Sequence, residues 1–272
     1  MAERAIIDLT DWLKTPAGCY VLQWEQTHLD TAVADLFGFH ALQLGLPELD
    51  ALRSNRMPHR WVASDHAAAS PPVDTDPPAP PRTAVALLCD FDALPFDSNS
   101  LDLVVLPHAL ELARDPHLAL REVERVLVPE GRVVVVGFNP ASLWGLRQRL
   151  GHWRRRLTLR SAPPLFLPSA GEFMRYRRLR DWLRLLSFEV EAGRFGCYRP
   201  PVASNKWLTR FEWMERAGER WWPVFGAVYF VVAVKRVRGM RLVGLVRAQR
   251  KTAHAPAPVV ATHHHHIEKE TE

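Results

Sequence analysis

Three near-continuous apolar runs, Ala84–Leu88, Leu101–Leu106 and Arg132–Phe138, fall within one stretch of the chain. Short runs without polar alternation belong to strands buried on both faces, which restricts the fold to a mostly parallel sheet covered by helices. The segments between them agree. Asp97-Ser98-Asn99-Ser100 is a turn, and Asp115-Pro116 opens a helix with a capping carboxylate and a first-turn proline. Leu120, Val123 and Val126-Leu127 give that helix an apolar stripe, and Pro129-Glu130-Gly131 closes it before the third run. In such sheets ligands bind beyond the carboxyl ends of the strands, so Asp90, Pro107-His108 and Asn139 are the first candidates for a site.

The flanking sequence supplies the other elements. Ile6 to Leu13 and about Tyr20 to Leu36 carry helical spacing, and Glu25 lies on the second helix. Phe39–Gly45 reads as a first strand with its turn, Pro47 to about Ser54 as a helix, and His59–Ala63 as a second strand ending at Ser64-Asp65. Asp65 lies twenty positions after Gly45, where an α/β nucleotide site places the carboxylate that accepts the ribose hydroxyls; the alternative is a turn cap. Ala67–Arg82, with three Pro-Pro pairs, reads as an extended loop.

Beyond Asn139, Leu143-Trp144, Leu146, Leu150, Trp153 and Leu157 recur at helical spacing with arginines between them, which fits a lid or an interfacial helix. Ser169 and Glu172 form a capping box for a helix carrying Phe173, Tyr176, Leu179, Leu183 and Leu186. Phe188-Glu189-Val190 begins a sixth strand, Trp207–Trp222 reads as a helix, and Gly226–Val237 as the last strand. One domain is expected over residues 1–247, with N-terminal helices at 1–36, the Pro-rich loop at 67–82, lid-like insertions at 141–165 and 200–223, and a disordered tail at 248–272.

No apolar run in the 272 residues approaches the length that spans a bilayer, and the first residues lack a signal-peptide pattern. Cys19, Cys89 and Cys197 are too few and too far apart for a disulfide framework. These features predict a cytoplasmic, soluble protein. The net charge of +5 is concentrated in an arginine-rich segment from Arg147 to Arg180 and in Lys235 to Lys251. Such clusters meet phosphate or anionic lipid, or form solvated faces. His263–His266 reads as a solvated run, and no metal site is expected.

Asp90, Leu94-Pro95-Phe96, Leu101-Asp102-Leu103-Val104, Glu122, Arg125-Val126-Leu127, Pro129-Glu130-Gly131 and Arg132-Val133-Val134 follow one another in an order that resembles the class I S-adenosylmethionine-dependent methyltransferases. The likeness is to their type 11, ubiquinone-biosynthesis-like group. It implies a Rossmann-like α/β fold, a seven-stranded, mostly parallel sheet with helices on both faces and an antiparallel last strand. It also implies S-adenosylmethionine as cofactor. Asp90 would accept from the adenine amino group with Phe91 flanking the ring, Asp65 would hold the ribose, and Pro107 and His108 would face the transferred methyl. His108 is a candidate general base, or a pocket-lining residue.

The family carries an acid and three alternate glycines in its first turn, where this chain has Gln43, Gly45, Pro47 and Leu49. Gln43 brings a carbonyl acceptor but no charge, and Pro47 lacks an amide donor. Two functions follow. One is a methyltransferase acting on a small or lipid-like acceptor in preference to nucleic acid. The other is a catalytically inactive binding module for a partner, nucleic acid or membrane surface, working through the arginines. In-line transfer from a sulfonium needs alignment and no fixed catalytic dyad, so the lack of a nucleophile–base set excludes neither.

Overall fold

The computed structural model describes residues 9–65, 83–157, 166–168 and 173–237, with backbone alone for 154–157. The expected tail and Pro-rich loop, and the Ser169–Glu172 capping box, lie outside the described residues. Residues 9–13 are helical, and α1 spans Pro16–Ala34. The first three strands are β1 (His40–Leu44), β2 (His59–Ser64) and β3 (Leu87–Leu88). β4 (Leu101–Pro107), α2 (Ala109–Leu112), α3 (Pro116–Val126) and β5 (Leu127–Phe138) follow. Then come α4 (Leu143–Leu157), α5 (Tyr176–Leu185), β6 (Phe188–Gly196), α6 (Asn205–Arg210), α7 (Trp213–Trp221) and β7 (Val228–Lys235).

The apolar runs lie side by side. The seven strands form one sheet in the order β3-β2-β1-β4-β5-β7-β6. The pairs among β1 to β5 are parallel, and β7 runs antiparallel to both β5 and β6. This is the expected fold class. Every residue of β7 is buried and β4 is nearly so, as strands covered on both faces must be. Two apolar layers result. Val134, Val136 and Phe138 point to one side with Leu29 and Val33 of α1, while Val133 and Val135 point to the other with Leu120 and Val123 of α3.

Local chemistry sets the element ends. Thr15 caps α1 by accepting from Gly18 N, with Pro16 in the first turn, and Asp115 caps α3 by accepting from His117 N and Leu118 N. Arg125 ties α3 to the turn after β3, donating to the carbonyls of Leu94 and Phe96, both at 2.9 Å, while Glu122 accepts from Leu94 N. Those two side chains are structural.

Several boundaries move. The Pro47–Ser54 helix does not form; the segment is a series of turns, because the Gln43 side chain takes carbonyls that a helix would use. Of the expected third strand only Leu87 and Leu88 pair, at the sheet edge. Trp207–Trp222 divides into α6 and α7 at Phe211-Glu212. Lys235 is no part of a free basic patch. It is buried, its ammonium donating to Asn99 Oδ1 and to the carbonyls of Glu124 and Leu127.

Candidate functional site

The carboxyl ends of β1, β2 and β3 meet the N-terminal residues around a narrow cleft of about 20 Å³. Gly45 turns the chain out of β1 with φ +77°, and Leu46 follows at φ +46°. A Cβ on Gly45 would sit 3.5 Å from the Phe91 ring, an ordinary contact, so the backbone angle and not crowding requires glycine there. Leu46, Pro47 and Glu48 form one wall, Ser64 and Asp65 at the tip of β2 another, and Phe91 and Leu112 the base. Leu9 and Thr10 close the cleft from above, and the Thr10 hydroxyl donates to Glu48 Oε1 at 3.2 Å.

Gln43 is fully buried and engaged within its own turn. Its Nε2 lies 3.2, 3.0 and 2.7 Å from the carbonyl oxygens of Gly45, Leu46 and Leu49. Its Oε1 accepts from Ala51 N at 2.9 Å. The amide therefore organises the turn, and the acceptor expected to face a cofactor amine is taken by a backbone N–H. Of the residues the sequence singled out, Gly45, Asp65 and Phe91 line the cleft. Asp90 is exposed just past β3 and is not among the lining residues, and Pro107 is buried at the end of β4.

Beneath this cleft, where β4 ends, lies a buried polar cluster. His108 adopts a left-handed backbone, φ 54° and ψ 6°, which starts α2 directly and turns the ring into the protein. The ring is fully buried. Its Nδ1 is 2.9 Å from Glu111 Oε2, one helical turn on, and its Nε2 is 2.8 Å from Glu25 Oε1 of α1. Burial opposes charge on the imidazole, but the two carboxylates outweigh it, Glu25 foremost, and the pKa is raised to about 10. Burial also pushes the Glu111 carboxyl up, with His108 pulling the other way. Glu111 Oε1 accepts from Phe138 N at the end of β5. The Phe138 ring lies tilted against His108 with centroids 4.4 Å apart, and Trp12 is edge-on to Phe138 at 5.4 Å. Glu25 Oε2 and the Tyr229 hydroxyl lack hydrogen-bond partners inside this layer.

A general base needs a free ring nitrogen, and here both are occupied on an imidazolium. In this closed arrangement His108 fastens α1 to the end of β4.

Residues 65–135 match the family model described as a methyltransferase domain. That match covers about a quarter of the 272 residues. Family members use S-adenosylmethionine as methyl donor. The chain is similar over 72 residues, at 44% identity, to a malonyl-[acyl-carrier protein] O-methyltransferase of Halorhodospira halophila, covering 26% of this chain and 23% of that enzyme. It is 41% identical over 54 residues to a ubiquinone/menaquinone biosynthesis C-methyltransferase of Paraburkholderia xenovorans, covering 20% and 22% of the two chains. Both matches span under a quarter of the enzyme's length. Along nearly its whole length the chain is 29% identical, over 241 residues, to an uncharacterized protein of Escherichia coli K12, YafS, covering 88% and 86% of the two. The fold is shared with a putative methyltransferase of Haloferax volcanii solved in complex with the Trm112 activator, at a TM-score of 0.53 and 18% identity, over 86% and 99% of the chains.

Sequence reasoning missed Glu48, Thr10 and Glu111. A carboxylate just past the first turn was the available signal for Glu48. For Glu111 it was the i, i+3 spacing from His108.

Proposed function

We propose that this chain transfers a methyl group from S-adenosylmethionine to an acceptor of unassigned class, with the nucleoside of the cofactor held in the cleft at the tips of β1 to β3. What carries the reading is the placement of Asp65 and Phe91 around one cleft closed by the Gly45 turn. The chemistry of these residues matches the nucleoside half of the cofactor, and Leu9 and Thr10, which line the same narrow cleft, would move aside to admit it. A carboxylate at the tip of β2 accepts ribose hydroxyls, and an aromatic ring after β3 covers a base.

The amino-acid half meets a different donor set from the family's. Gln43 has no charge to offer and Pro47 no amide N–H, but Glu48 brings a carboxylate to the same wall. Glu48 would pair with the cofactor ammonium, and the Thr10 hydroxyl that now donates to it would yield. Asp90, exposed at the rim, would take the adenine amino group. Leu9 and Thr10 would cover the bound molecule and exclude water.

The cofactor supplies an activated leaving group, so the protein's part is to align it with the acceptor. The buried His108 cluster would hold α1 and the end of β4 at fixed distance while this happens. Equilibrium dialysis with labelled S-adenosylmethionine tests the assignment. Asp65→Ala and Glu48→Gln should each weaken retention by roughly tenfold or more, the loss of a charged hydrogen bond. Retention unchanged in both variants would displace the cofactor from this cleft, and no retention by the wild type would favour the binding-module alternative.

A further inference from the structure

The helix α4 has two apolar faces, and among the described residues only one of them has a partner. Trp144 and Gln148 are buried, with Trp144 Nε1 donating to Arg199 O and the Gln148 amide paired with Leu167 through both its ends. At 100° per residue, Leu143, Leu146, Leu150 and Trp153 fall on the opposite face within one narrow stripe. They are 49%, 50%, 49% and 60% exposed. Single exposed leucines are ordinary; a stripe of three with a tryptophan at 3-4 spacing is not.

Charge says what covers it. Arg147 and Arg149 border the stripe on its two sides, both exposed, and their guanidinium groups donate to the backbone carbonyls of Pro201 and Pro140. Those partners carry no negative charge. The sequence adds Arg154, Arg155 and Arg156 in the last turn, and no acidic residue occurs between Glu130 and Glu172. A second copy of so basic a helix would repel this one. Nucleic acid would satisfy the arginines but leave the leucines in water.

We propose that α4 is an interfacial helix that docks this protein on an anionic lipid surface, with Leu143, Leu146, Leu150 and Trp153 in the acyl–headgroup boundary and Arg147 and Arg149 on the lipid phosphates. The surface lies apart from the cofactor cleft and does not depend on the methyltransferase reading.

Sedimentation of the full chain with unilamellar vesicles tests it, without cofactor. Vesicles of phosphatidylcholine mixed with phosphatidylglycerol should bring down the protein at low salt, pure phosphatidylcholine vesicles at least roughly tenfold less, and high salt should release it. The Leu146→Glu, Leu150→Glu double variant should lower partitioning by roughly tenfold or more, since both side chains leave water on binding. It should retain the wild-type melting profile, since both side chains are solvated in the free protein. No partitioning, equal partitioning on neutral vesicles, or undiminished partitioning of a folded double variant would each overturn the proposal. So would dimerisation lost in the double variant, or displacement of bound protein from vesicles by RNA at equal phosphate concentration.

Discussion

At the scale of single residues, His108 is fully buried and paired on both ring nitrogens, so its removal leaves two buried carboxyl groups behind. It is an imidazolium between two buried carboxylates, and its contribution depends on pH in a definite direction. A histidine with a raised native pKa stabilises the fold fully below its unfolded value, 6.5, and loses that contribution as pH rises through about 10. The upward push of burial on Glu111 acts with the same sign, because the native state again holds more protons than the unfolded chain. Denaturant unfolding followed across that range should show stability falling as pH rises. His108→Asn keeps a residue that accepts the left-handed backbone but leaves Glu25 and Glu111 uncompensated. It should cost about 3–5 kcal/mol near neutral pH and move the falling limb down toward the range where carboxyl groups ionise. A pH-independent stability in the wild type would contradict the charge assignment.

At the scale of elements, the turn from Gln43 to Ala51 separates what this chain does from what its motif suggests. Restoring the family's acid by Gln43→Glu would put a carboxylate against the carbonyls of Gly45, Leu46 and Leu49, where an amide donor now sits. The substitution should destabilise the fold by roughly 3 kcal/mol or more, measured as a shift in denaturant midpoint, and should not improve cofactor binding.

The same turn shows how far the sequence was legible. The strands were readable because β4, β5 and β7 each contain a run of consecutive apolar residues, a pattern that leaves little choice of environment. Gly45, Asp65 and Phe91 were readable because they sit at or just past strand ends. Pro47 looked like a helix start, yet the side chain of Gln43, four residues back, had already claimed the carbonyls. The tie from Glu25 to His108 joins positions 83 residues apart, and nothing local in the sequence records it.

At the scale of the molecule, the N-terminal turn and α1 cover the ends of the central strands, so the cleft and the buried cluster share one roof. Trp12 meets Phe138, Thr10 meets Glu48, and Glu25 meets His108. On the proposed reading, cofactor entry involves this roof, while the sheet order behind it is β3-β2-β1-β4-β5-β7-β6. Among the described residues no helix is long and apolar enough to cross a membrane.

The central claim is that a nucleoside-bearing cofactor occupies the cleft between the Gly45 turn and Asp65. Calorimetric titration of the intact protein with S-adenosylhomocysteine tests it most directly. The account predicts a one-to-one isotherm for the wild type, weakened by roughly tenfold or more in Asp65→Ala. A flat titration, or an isotherm that Asp65→Ala leaves unaltered, would contradict it.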